Sequence, residues 1–470
     1  MSALASAALV IALVGGIFPW LLRLERTGRS ATVVYLLLGL LVLESALYPD
    51  ESRIPTGLIH PGGGALSFRL VDVLIPVALL ARALARGFPR RLELTALWWT
   101  VLLFWLGFAA VEGALNGNSL SLDMFEAKAI LYLGLFALAA GVPLAEYVKP
   151  ERLERLLIGA AVLAALLVFT DQAGISVTLG IPVFPLASTG EMGADAATLF
   201  ASLGIIAAVV GACREERRLR LLLASTPLLI STVAATQRAA LLGVVVSLVA
   251  LALLVPLAGR RVRTTPTELG LLGLAMVGLL LVPFVVAAST GLGGSASVPL
   301  STTLSSTLNS GEKRISAKAR VAQFGAARRL IEQRPVFGWG LGKTYSYYDP
   351  GPRQFAVTNL THNIGTDLLL RTGVFGLALF LASVISSLSA GIAVWRRHPG
   401  EAAVAAFALA AVADLAGLMA KGMAESLFEK YRLAAFMGLL AVALVSAAAT
   451  RERVPEPEPS VLPRAQPALR

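Results

Sequence analysis

The chain has 470 residues, 56% of them apolar and 15% charged, where a soluble domain carries about 25% charged residues. A mean hydropathy of +0.76 excludes a single water-facing core, and uncharged runs long enough to cross a bilayer recur along the sequence. The formal charge is +11, but most basic residues sit in short loops, where they orient spans rather than bind nucleic acid. A lone Cys213 cannot form an internal disulfide, and three histidines without a Cys/His cluster give no zinc framework. No metal and no cofactor is expected.

The expected fold class is all-α. The chain reads as a polytopic membrane protein with about 12–13 transmembrane helices and one long, partly helical extracytoplasmic loop. Hydrophobic segments centre near residues 12, 38, 77, 103, 137, 163, 204, 228, 249, 278, 380, 410 and 441. This divides the chain into N-terminal transmembrane helices (1–288), an extracytoplasmic loop domain with a basic helix (289–361), C-terminal transmembrane helices (362–450) and a disordered cytoplasmic tail (451–470). The first segment starts without a basic stretch, so it reads as a span rather than a cleaved signal.

Basic loops alternate with poor ones. Arg23, Arg26 and Arg29, then Arg82 to Arg91, then Lys149 to Arg155, Arg214 to Arg220, Arg260 to Arg263, and Arg396 with Arg397 fall on one side, which is cytoplasmic by the positive-inside rule. The acidic loop 113–127 and the segment 289–361 fall on the other. By this alternation the N-terminus is outside, and losing one weak early span would move it inside.

Within the long outer segment, Ser289 to Ser310 is rich in Ser, Thr and Gly, whereas Gly311 to Arg334 reads as a helix stopped by Pro335. Lys313, Arg314, Lys318, Arg320, Arg328, Arg329 and Arg334 stud it, and its apolar members fall on no single narrow stripe. Most of these cations read as attraction to anionic lipid, about 1 kcal/mol each. Pro335-Val-Phe-Gly-Trp-Gly-Leu-Gly342 is turn-forming, and Trp339, Tyr345, Tyr347 and Tyr348 read first as interfacial membrane anchors and second as sugar-stacking rings.

His362 opens the eleventh span directly after this loop, placing a group that titrates near neutrality at the outer membrane boundary. Two readings stand: a proton acceptor beside a lipid-linked head group, or an interfacial histidine bonded to a backbone carbonyl. Arg238 interrupts the uncharged stretch from Leu221 to Gly259, at the outer turn between two antiparallel spans. A mid-helix arginine costs roughly 2.5–3.5 kcal/mol on insertion scales, so it needs an anionic partner or snorkels to the surface. Its planar fork suits phosphate oxygens. Asp72 and Asp414 lie inside spans, where they would be relay sites in a transporter or simply pair with a polar neighbour. No Asp-x-Asp pair and no Walker-type glycine loop occurs, which removes support for nucleotide-sugar and ATP chemistry.

These residues resemble the O-antigen ligase/polymerase family of bacterial envelope enzymes. The family pattern of His, then Asn, Ser or Gln, then nine residues, Gly, two residues and a small residue is met by His362-Asn363, Gly373, Val374-Phe375 and Gly376. Arg320 through Pro335, Phe337, Gly338, Gly340 and Gly342 looks like the family's arginine, helix and Pro-x-Phe-Gly-x-Gly-x-Gly loop. Thr236-Gln237-Arg238 is similar to its Thr-x-Ser-Arg element, and Phe68-Arg69-Leu70-Val71-Asp72 is a looser match. The chain departs at Gln237, at Gly365, where an aromatic is common, and at Arg371, where an acidic residue is common.

The resemblance implies inverting, metal-independent transfer of a glycan from a polyprenyl-pyrophosphate carrier to an acceptor hydroxyl at the outer face of the bacterial inner membrane. His362 would be the general base with Asn363 nearby to orient, while Arg238, Arg320, Asn363 and Arg69 would bind substrate. The implied partners are the lipid-linked donor, a lipid or glycan hydroxyl acceptor and membrane lipids, with no nucleic acid. A ligase acting on a lipid A-core sugar, a polysaccharide polymerase and a protein O-glycosyltransferase all fit. A transporter or flippase using Asp72, Asp414 and His362 is the competing class, against which stands the lack of a convincing internal repeat.

Overall fold

In the computed structural model, residues 3–47, 70–87, 94–135, 138, 150–172, 180–181, 184–185, 194–213, 218–234, 238–257, 311–359, 361–397, 402–425 and 431–449 are described. The helices are α1 (Ala3–Arg26), α2 (Ser30–Leu47), α3 (Leu70–Arg86), α4 (Leu94–Leu115), α5 (Leu120–Leu133), α6 (Pro150–Gln172), α7 (Ala194–Ala212), α8 (Arg218–Ala234) and α9 (Arg238–Leu257), followed by α10 (Gly311–Gln333), α11 (Ile364–Arg397), α12 (Ala402–Ala424) and α13 (Tyr431–Ala449). Two short antiparallel hairpins accompany them, β1 (Gly180–Ile181) with β2 (Phe184–Pro185), and β3 (Tyr345–Asp349) with β4 (Gln354–Thr358). Helices stand at eleven of the thirteen expected span centres, and those at 137 and 278 lie outside the described residues. The segment 289–310, Arg69 and the tail 451–470 lie outside them too.

Three described helices are long and apolar enough to cross a membrane: Ala96–Leu115, Ile364–Arg396 and Ala403–Ala424. Ser30–Ser45, Ala196–Ala212 and Ala239–Leu254 are shorter apolar helices. Small residues set the closest approaches, as expected where lipid offers no hydrophobic drive and contact depends on backbone proximity. A Cβ on Gly204 of α7 would stand 3.0 Å from Leu229 of α8, and one on Gly243 of α9 would stand 3.1 Å from the Gly417 carbonyl of α12.

Among the described residues, several charged side chains inside the bundle have partners. Lys128 on α5 reaches Asp72 on α3 at 2.9 Å, with both side chains buried, and Glu25 on α1 takes Ser30 at 2.5 Å and faces Arg82 and Arg86. Asp414 is buried, with the Ser202 hydroxyl of α7 as a partner. Asp72 thus has the polar neighbour that its position calls for.

At one end of the bundle, here the loop end, a small second core forms where α10 lies over β3 and against α11. Ala326, Ala327, Tyr345, Tyr347 and Leu370 are its buried members. The helix expected over 311–334 is present, ending one residue before Arg334. Two of the tyrosines pack inside rather than facing outward. Tyr345 and Tyr347 are buried because alternate residues of β3 face α10, whereas Tyr348 points outward against Phe355. The Trp339 indole donates to the Leu330 carbonyl at 2.8 Å, and its ring is covered by Arg334 and Lys343 at 4.3 and 4.1 Å.

Candidate functional site

Two constructions meet at the loop end. The first is the crossing of the Pro335–Gly342 loop over α11. Gly373 adopts φ 65° and ψ −169°, which breaks α11 there. A break of this kind frees carbonyls that must find new donors. Leu370 accepts from the Trp339 amide at 2.9 Å, Arg371 from the Gly340 amide at 3.0 Å, and Thr372 from the Trp105 indole at 3.0 Å. The Val374 amide, released by the same break, donates to Pro335 at 2.8 Å. Gly373 and Val336 then touch backbone to backbone, and a Cβ on Gly338 would stand 2.5 Å from the Arg371 carbonyl carbon. Gly338, Gly340, Gly342 and Gly373, drawn from both family-like motifs, are therefore one packing device, and they demand glycine because φ is positive and no side chain fits.

The loop is fixed on its other side to the end of α4. The Leu341 amide donates to Ala109 at 2.9 Å, and the Asn118 amide donates to the Trp339 and Leu341 carbonyls, both at 2.8 Å. Arg334 donates to Asn116 at 2.9 Å. Burial first and the Arg334 charge second lower the Lys343 ammonium from its ordinary value.

Beneath this crossing Arg371 is buried among acids. Its Nε and Nη2 donate to the two oxygens of Glu126 at 2.6 and 2.7 Å, Nη2 also donates to the Asn359 carbonyl at 2.8 Å, and Nη1 meets Asp367. Glu126 further accepts the Gly342 amide at 2.7 Å and the Asn359 side chain at 3.1 Å. One α5 turn earlier, burial first and the neighbouring Glu126 charge second push the Asp123 carboxyl up to about 6. The departure at Arg371 is thus matched by a carboxylate 245 residues away in sequence.

The second construction holds the motif histidine. His362 sits at φ 54°, a left-handed conformation uncommon for a residue with a Cβ and enriched among residues held in place by their surroundings. Asn363 explains how it is held. Its Oδ1 accepts the Thr366 amide at 3.0 Å, which caps α11, and its Nδ2 donates to the Met423 carbonyl at the end of α12 at 2.9 Å. Both ends of that amide are committed to protein, so Asn363 acts on its neighbour by fixing the turn. Thr361 adds a bond to the Asn363 carbonyl at 3.2 Å.

Arg238 begins α9. Gly243 lies against Gly417 and Lys421, and Gly417 lies against Gly243 and Ser247, which makes α9 and α12 antiparallel. Carried toward the loop end, that register sets the start of α9 level with the last turn of α12, where Met423 holds Asn363. The Arg238 backbone and the His362 turn thus stand at the same end of α12. Arg320 is solvent-exposed on α10, in the turn before the residues that pack on β3. Sequence reasoning missed Glu126, Asp367 and Lys421. The signals were a carboxylate in the acidic outer loop and charges inside apolar segments.

Residues 221–381 match the family model described as O-antigen ligase, which supports assignment to that family. The match takes in α8, α9, α10, the hairpin β3–β4 and the N-terminal half of α11. No curated protein matches the chain.

Proposed function

We propose that the chain transfers a glycan from a polyprenyl-pyrophosphate carrier to an acceptor hydroxyl, with inversion, at the outer face of the bacterial inner membrane. The observation that carries this reading is the convergence of the start of α9 and the His362–Asn363 turn, both within the matched segment, on the last turn of α12, which lies beyond it. The alternation of basic loops supports the outward orientation.

The chemistry has two demands. The acceptor oxygen must lose its proton as it attacks the anomeric carbon, and the carrier pyrophosphate must leave with its charge stabilised. His362 serves the first as general base, a contribution of about 10²–10⁴-fold. Its proton acceptance is consistent with a ring placed by a strained, doubly fastened turn. Arg238 and Arg320 serve the second, because guanidinium groups hold phosphate oxygens in a fork and stabilise charge that develops on departure. Arg69 is a further donor contact in this reading. An arginine-based account needs no divalent ion. Turnover of a purified sample on a synthetic polyprenyl-pyrophosphate glycan, without any ion gradient and in excess chelator, tests it. Loss of activity on chelation and its return with magnesium would overturn the arginine account, and uptake dependent on Asp414 without glycan transfer would overturn the enzyme.

A ligase reading is favoured over a polymerase by the description of the matched family. The pairing of Asp72 with Lys128 weakens the transporter, since it gives one of its two intramembrane acids a structural partner.

A further inference from the structure

Lys421 on α12 is used by neither motif. Its side chain has no exposed surface, and its ammonium meets Glu425 at 3.0 Å, one helical turn further on. An ammonium carries three donors and is almost never fully buried without partners, yet Glu425 is the one partner found for it among the described residues. The order of the pair, Lys before Glu, is the less favourable one for a helix. A purely structural reading, a cation near a helix C-terminus, accounts for a charge here but not for its full burial.

The position is informative. A Cβ on Gly243 of α9 would stand 3.5 Å from the Lys421 Cβ, so the lysine leaves α12 on the side facing α9. It extends toward Glu425, that is, toward the loop end. By the antiparallel register its ammonium reaches the level at which α9 starts with Arg238 and at which Met423 holds Asn363.

We infer that Lys421 is a donor-binding residue: the carrier pyrophosphate, on entering, replaces Glu425 as the partner of the Lys421 ammonium, and Glu425 keeps that ammonium in place beforehand. This rests on the reading given under Proposed function. A compact ammonium with three donors suits a phosphate oxygen approached from one side.

The test uses full-length protein in lipid nanodiscs and a synthetic polyprenyl-pyrophosphate-linked glycan, with KM for the donor, kcat and thermal stability measured together. Lys421→Met alone leaves the Glu425 carboxylate without this ammonium, so the decisive variant is the pair Lys421→Met with Glu425→Met, which removes both charges of the ion pair together. The expected result is a donor KM raised roughly 10–100-fold, the range of a charge-assisted hydrogen bond, with kcat changed far less. Lys421→Arg, which preserves the pair with Glu425, is expected to raise KM severalfold, and it decides the matter if the double variant does not fold. An active wild type with an unaltered donor KM in the folded double variant, or in Lys421→Arg when that alone folds, overturns the proposal and leaves an ion pair. A wild type that turns over no donor removes the functional reading, and this proposal with it.

Discussion

The two constructions at the loop end differ in how completely their polar groups are satisfied. Around Arg371, the three guanidinium nitrogens are placed on two carboxylates and a carbonyl, and the carbonyls freed by the break at Gly373 all find donors. At the end of α12, by contrast, a left-handed histidine and a buried lysine with one partner among the described residues stand level with the start of α9. A closed network fixes geometry and has little left to offer a ligand, whereas strain and spare donors are what a substrate site retains. The motif glycines and the motif histidine, adjacent in one sequence pattern, therefore belong to different tasks.

The largest expected difference comes from Arg371→Ala. It strands Glu126 and Asp367 in a buried setting, and breaking such a pair costs about 3–5 kcal/mol. Thermal unfolding in detergent should show the loss, with donor KM unchanged in whatever protein remains folded. A well-folded Arg371→Ala protein with selectively weakened donor binding would move Arg371 from the scaffold to the site. Gly340→Ala sharpens the same side of the comparison. Gly340 has φ 79° and packs on Gly113 of α4, so the variant should unfold earlier and without a kinetic signature of its own.

For the proposed donor contacts, at the start of α9 and on α10, Arg238→Ala and Arg320→Ala should weaken donor binding, and lysine should restore only part of it because it lacks the bidentate fork. Donor titrations at two salt concentrations distinguish this from a general loss of stability. His362→Gly offers a smaller but cleaner contrast with His362→Ala. Glycine accepts the left-handed backbone that costs other residues roughly 1–2 kcal/mol, so the glycine variant should be at least as stable as the alanine one while both lack the base. An alanine variant markedly more stable than the glycine one would mean that the turn is not strained.

The smallest effect is in pH dependence. The Asp123 carboxyl is raised from 3.8 to about 6 in the fold, so between these values the native state binds more protons than the unfolded one. Its contribution to stability is therefore greatest at the acid end and is lost as pH rises through about 6. Asp123→Asn should flatten that part of the stability profile, as read by thermal unfolding across the window.

Much of this was legible in the sequence. The helix over 311–334 followed from its stop at Pro335, and the turn after it from alternating glycines. His362 stood out because a span begins directly after a basic loop. What could not be read were pairings across long separations. Nothing local to Arg371 reveals Glu126, and nothing in a run of tyrosines shows which of them a hairpin turns toward a helix. Trp339 and Tyr345 looked like anchors because amphipathic rings near a membrane serve either purpose, and only the packing of α10 on β3 distinguishes them. Lys421 was missed, since its burial depends on the closeness that Gly243 and Gly417 permit.

The proposed chemistry depends above all on His362 accepting the acceptor proton. Turnover of a synthetic polyprenyl-pyrophosphate glycan by purified wild type and His362→Ala, compared under saturating acceptor, tests it most directly. The expected rate of His362→Ala is lower by about two orders of magnitude or more, the scale of general-base catalysis, with donor KM nearly kept and thermal stability within reach of wild type. Near-wild-type turnover in a folded His362→Ala protein would contradict it and leave His362 as a residue of the turn.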